Sequence, residues 1–199
     1  MKRLCADKSG IPEELRTHPD VLESESEVLS QYTDPEARKR TCVHEAAHEV
    51  YFRKIGIETS RRGPRGFYDE ATQECYFANA MVYPANYNEL PDTVDIQELA
   101  KAYAAGSVAA RELTVLGAIE AVEEAQNTGA GSDFDKFARA CKLMFEGATD
   151  RQIKNTWEQA KSAVKIELQS LELQAEIWRV ADDFGKEIFG EGANRITHV

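Results

Sequence analysis

Cysteine is scarce: four residues, at positions 5, 42, 75 and 141, with no CxxC pair and no dense spacing. That excludes a disulfide framework and a cysteine-ligated zinc site, and fits reduced thiols of a cytoplasmic protein. Positive charge is scarce too. Lys and Arg total 24 against 35 Asp and Glu, for a formal net charge of −11. Phosphate backbones would be repelled rather than neutralised, so no nucleic acid partner is expected. No membrane partner is expected either. The most apolar long stretch, 99–122, carries Lys101, Arg111, Glu112 and Glu120, each costly in hydrocarbon. MKRLCADKSG has basic residues but no apolar run after them, so it does not read as a secretory signal.

What is present suits one domain. The chain has 199 residues, of which 42% are hydrophobic and 30% charged, enough for a proper core. Residues 1–32 are polar, with Pro12, Pro19 and the run ESESE, and read as an arm or tail outside the core, either flexible or with a short helix. Residues 33–190 form the domain and 191–199 a tail. The segment TDPEARKRTCVHEAAHEVYFRKIG predicts a helix of about 20 residues. Thr33 or Asp34 can cap it, Pro35 suits its first turn, Glu36 completes a capping box with Thr33, and Gly56 stops it. Gly, Pro, aromatic and β-branched residues across 57–84 predict two or three short strands with a hairpin. A small-residue helix follows over 94–116, then a loop around 126–131. A helix over 132–146 can be capped by Ser132 with Asp135 three residues on. Across 150–189, Ile153, Trp157, Ala160, Val164, Leu168, Leu171, Ala175 and Trp178 fall on one helical stripe. The fold class expected is mainly α (α+β), with a small β element beside the first long helix. RRGPR at 61–65 reads as a solvated turn, or as a landing place for an acidic partner segment.

Only four histidines occur, and two of them share VHEAAHEV at 43–50. His44 and His48, four apart on a helix, present one face to a single metal ion. Glu45 lies beside that face, where a carboxylate can take a proton from metal-activated water. A catalytic zinc keeps three protein ligands and one open position. The third candidates are Asp133, Glu70, Glu74, His18 and His198; no downstream Gly and His continue the motif after His48.

HEAAHE, then AGSVAAREL, then TGAGSDFDKFARA in unbroken order resembles the peptidase domain of the FtsH-type ATP-dependent zinc metalloproteases. WEQAKSAVKIELQS near 157–170 resembles that family's following helix. The resemblance implies Zn2+ held by His44, His48 and Asp133, with Glu45 as the catalytic carboxylate. The sequence departs from the pattern in several places. Ala47 stands where the family usually has glycine, Arg111 replaces a glutamate, and the connection before TGA is longer. There is no ATPase module: no GxxxxGK(S/T) loop and no membrane anchor. The resemblance thus implies a stand-alone, ATP-independent peptidase domain, or a subunit to which another protein delivers substrate, with oligomeric state open.

The expected function is a zinc metalloendopeptidase acting on peptides or unfolded segments, laid as an added strand along the edge near 75–83. Tyr68, Tyr76 and Tyr83 are candidates for a second electrophile by residue type alone. The alternatives are a non-catalytic binding or regulatory protein that keeps the fold, and a hydrolase of non-peptide substrates.

Overall fold

The helix that bears VHEAAHEV begins where the chain offers a cap. Asp34, in extended conformation, accepts a hydrogen bond from Glu36 N at 3.0 Å, and Pro35 takes the first position. Thr33 is not the cap, because its hydroxyl donates to the Ser30 carbonyl at 2.7 Å; the expected capping box is replaced by a simple aspartate cap. The helix ends in a Schellman arrangement. Gly56 has φ +76, its N–H bonds Arg53 O, and the Ile57 N–H bonds Phe52 O.

A computed structural model describes residues 6–30, 32–85, 94–114 and 133–190. Within them the architecture is mainly α with small β-sheets. In chain order the elements are β1 (Asp7–Gly10), a short 3-10 turn, α1 (Pro19–Ser30), α2 (Pro35–Lys54), β2 (Thr59–Arg62), β3 (Arg65–Asp69), β4 (Glu74–Ala78) and β5 (Met81–Pro84). Four helices follow: α3 (Ile96–Leu113), α4 (Asp133–Met144), α5 (Asp150–Glu167) and α6 (Leu171–Phe189). Ser132, the 126–131 loop and the 191–199 tail lie outside the described residues.

Helix α2 is the centre of the molecule. From Cys42 to Phe52 only His44 is not buried, the signature of a helix enclosed on all sides. It packs on α3, α6 and β5, while α3 also receives α4 and α5. All seven residues of α3 from Ala104 to Ala110 are Ala, Gly, Ser or Val, and that scarcity of bulk lets the backbones of α2 and α3 approach closely.

The stripe across 150–189 does not run through a single helix. The chain breaks at 168–170, and Ser170 caps α6 by accepting from Leu173 N at 3.3 Å. Ile153, Trp157, Ala160, Val164 and Leu168 are buried as expected. Beyond the break the buried set becomes Leu173, Ile177, Val180, Ala181 and Phe184, whereas Leu171 is 78% exposed. The new cap restarts the helix with a different face inward, which spacing alone does not reveal.

Four strands, not two or three, lie in 57–84. β3 and β4 form the expected antiparallel hairpin, and β2 and β5 form a second antiparallel pair outside it. β1 joins β3 in parallel, making a sheet of order β1-β3-β4. Residues 7–30, expected as an arm outside the core with at most a short helix, therefore belong to the fold, α1 being the helix and β1 the unforeseen strand. Ile11 and Val21 are buried, and Lys8 pairs with Glu25 across β1 and α1. Ile11 and Val21 lie outside the main hydrophobic core around α2, α3, α5 and α6, against which Val28 and Leu29 of α1 pack.

Candidate metal centre

His44 and His48 sit one turn apart on α2, and Asp133 is the first residue of α4. His48 Nε2 is 3.1 Å from His44 Nε2 and 3.2 Å from Asp133 Oδ2, and His44 Nε2 is 3.1 Å from the same oxygen. The triangle is nearly equilateral. A tetrahedral zinc with bonds of about 2.0–2.1 Å holds its ligand atoms roughly 3.4 Å apart, so the spacing fits one small cation after a slight opening. Among the described residues these three form the only such group of His, Cys, Asp or Glu.

The chemistry of the donors points the same way. His48 Nδ1 lies 2.8 Å from the Ala102 carbonyl oxygen. A carbonyl only accepts, so Nδ1 carries the hydrogen, and in the neutral ring Nε2 offers its lone pair to the centre. With Asp133 Oδ2 beside it, lone pairs converge where positive charge is required. Burial alone would lower the His48 pKa, but the Asp133 charge and hydrogen bond, Glu45 and the Ala102 carbonyl outweigh it and raise it. Burial likewise would raise Asp133, yet the two histidines hold its carboxyl well below the usual range. Its other oxygen, Oδ1, accepts from Lys136 Nζ at 3.1 Å, one turn along α4.

Glu45 is buried beside the triad. Its Oε1 is 3.9 Å from His44 Nε2, and its Oε2 accepts the main-chain N–H of Val82 at 2.6 Å. Gly106 of α3 forms the wall behind the histidines: a Cβ there would stand 2.8 Å from His44 Nε2 and closer still to His48 Nε2. A cavity of about 50 Å³ lies at the centre, lined by His48, Phe52, Tyr103, Asp133, Lys136 and four residues of β5, Met81 to Pro84. It has room for water. A larger open groove of about 550 Å³ is formed by α6 alone, around Leu171 and Trp178, and shares no residue with the centre.

Of the third-ligand candidates, Asp133 is the one brought to the histidines. Glu70 and Glu74 are exposed at the turn and first residue of the β3–β4 hairpin, and His18 faces Asp20 at 3.7 Å. His198 lies outside the described residues. Of the three tyrosines, Tyr83 lines the cavity, and its hydroxyl accepts from Arg62 Nη2 at 3.1 Å; Tyr76 is 54% exposed and stacks on Phe67. RRGPR is not a solvated turn. Arg61 forms two bonds with buried Glu49, at 2.7 and 3.0 Å, and a third with Glu187 at 2.9 Å. Arg62 lies over Tyr83 and Arg65 over Phe67. These guanidinium groups are held within the chain, because Arg61 and Arg62 belong to β2, beside α2, and Arg65 begins β3.

Sequence reasoning missed four contributors: Gly106, the Ala102 carbonyl, the Val82 amide and Lys136. Gly106 stood in plain view inside a run of small residues. The two main-chain groups have no signal in residue type.

No protein-family model, curated protein or solved structure matches the chain.

Proposed function

We propose that this chain is a zinc-dependent metalloendopeptidase of FtsH-like type, cutting peptides or unfolded protein segments without ATP. The observation that carries the reading is the convergence of His44, His48 and Asp133 on one cation-sized point, with the Glu45 carboxylate beside it. Zinc held there supplies a Lewis acid and brings the pKa of a water to roughly 7. The chain's own residues do the rest. Ala102 fixes the His48 ring, and Lys136 fixes Asp133. Glu45 Oε1, on the metal side, accepts the proton of the attacking water and delivers it to the departing amine nitrogen. Substrate would reach the centre through the cavity that Met81 to Pro84 help to line; with both edges of β5 occupied, it would not pair there as an added strand.

No helix among the described residues is long and apolar enough to cross a membrane. The buried thiols of Cys42 and Cys141 suit a reducing, cytoplasmic setting. Flexible or already unfolded segments, delivered by a protein partner or met free, would be its substrates. The small cavity favours one competing reading, a binding or regulatory protein that retains the metal fold without turnover.

Elemental analysis and a cleavage assay on an unfolded protein such as casein decide between them. The expected result is one zinc per native chain, lost in Asp133→Ala. Glu45→Gln should keep the zinc and lose cleavage by about 10²-fold or more. Zinc retained in Asp133→Ala refutes the ligand set. Zinc bound with no cleavage by the native protein leaves the regulatory reading standing.

A further inference from the structure

The edge that β5 turns toward the metal centre is unusual in what occupies it. In the β2–β5 pair, Met81 faces Arg62 and Tyr83 faces Ser60, and the ladder continues through Ala85 N to Glu58 O at 2.8 Å. Main-chain groups alternate in direction along a strand, so residues 81, 83 and 85 bond β2 while 82 and 84 turn away from it. On that other edge the Val82 N–H is held by Glu45 Oε2 at 2.6 Å, and Pro84 has no N–H. Just before β5, the Ala80 N–H is held by the Tyr32 hydroxyl at 2.9 Å; that hydroxyl in turn donates to Asn79 Oδ1 at 3.3 Å. Tyr32 lies just before α2 and Glu45 at its middle, so α2 stands against this edge where a third strand would otherwise pair.

The two oxygens of Glu45 are thereby divided. One is tied to the strand, and the other faces His44 Nε2 at 3.9 Å. A glutamate side chain left to itself samples many rotamers, and a charge-assisted bond to a main-chain N–H is short and directional enough to select one. We propose that the Val82 main-chain amide is a positioning group for the general base. It fixes Oε2 so that Oε1 stands at the ligand triangle, while Tyr32, through Ala80 N, holds β5 at the distance this requires. The inference rests on the peptidase reading above.

The test removes one hydrogen. Val82→Pro deletes the N–H at a position that makes no bond to β2, on an edge that already accepts proline at Pro84. Val82→Ala keeps the N–H and controls for the side chain. In the zinc-loaded protein, amide hydrogen exchange at Val82 should be slow. It should become fast in Glu45→Ala and stay slow in Glu45→Gln, whose amide oxygen still accepts, with Met81 and Tyr83 unchanged in both. With a cleavable peptide, Val82→Pro should lower kcat by about 10- to 100-fold, with KM within about twofold and zinc content intact; Val82→Ala, which keeps the N–H, should lose at least several-fold less kcat than Val82→Pro. A native protein that cleaves the peptide, paired with a Val82→Pro variant of unchanged or raised kcat, overturns the positioning role alone. Exchange at Val82 that ignores Glu45→Ala overturns it as well. A native protein that loads zinc and cleaves nothing overturns the peptidase reading and this inference together.

Discussion

At Gly106 the centre depends on a side chain that is not there. Any Cβ would press on both histidines at the nitrogens that face the candidate site, and the His48 ring cannot retreat, being buried and pinned to Ala102. Gly106→Ala is therefore expected to weaken zinc binding by about 10-fold or more, measured by competition with a chromogenic chelator. Helix propensity works the other way, as alanine favours a helix interior by roughly 1 kcal/mol. A variant that is more stable when metal-free yet binds metal worse would separate the two effects. His44, Glu45 and His48 were legible in the sequence because the helix period carries their spacing into geometry; Asp133, 85 positions beyond His48, stood out only through the resemblance to the FtsH-type family. Gly106 was visible but mute. Its value comes from which neighbour it faces, and that is set by the crossing of α2 and α3.

Among the elements, α2 combines the best-signalled features with the least expected one. Its start, its stop and its histidine face follow from local rules, but Glu49 does not. A glutamate one position past His48 would ordinarily reach solvent; here it is buried because β2 brings Arg61 across it. Removing one partner leaves the other's charge poorly compensated, so Arg61→Ala should destabilise the fold by about 3 kcal/mol, read from the urea midpoint. Arg53, which also reaches Glu49, moderates the loss. The double change Glu49→Gln with Arg61→Ala should cost less than the two single changes summed. The same kind of nonlocal pairing explains the other misreadings. β1 finds its place only by pairing with β3, across more than fifty residues of chain. The 150–189 stripe splits because the Ser170 cap restarts the helix in a new register. Periodicity describes one element at a time and is silent on where the next one aims.

For the molecule as a whole, the ligand set joins positions 85 apart in sequence, binding the central helix to the start of α4. A cation that binds only the folded arrangement adds its binding free energy to folding, about 2.7 kcal/mol when free metal is 100 times Kd. For a chain of this size that corresponds to a rise of roughly 5–10 °C in Tm. Scanning calorimetry with zinc and then with excess chelator should show the shift reverse. An unchanged Tm would mean that the site does not hold metal in the folded state.

The two helices that supply the ligands, α2 and α4, also hold Cys42 and Cys141, both sealed from solvent, and burial pushes the Cys141 thiol up to about 12 from 9.0. At neutral pH Cys141 stays a thiol. This group contributes stability in full below pH 9, where the unfolded thiol is protonated too, and that contribution drains away as pH climbs toward 12. In the native protein iodoacetamide should reach the partly exposed Cys75 before either of them. Peroxide is a hazard to zinc sites built on thiolates, because oxidised sulfur lets the metal go. A metal held by two imidazoles and a carboxylate would have no sulfur ligand for a mild oxidant to attack.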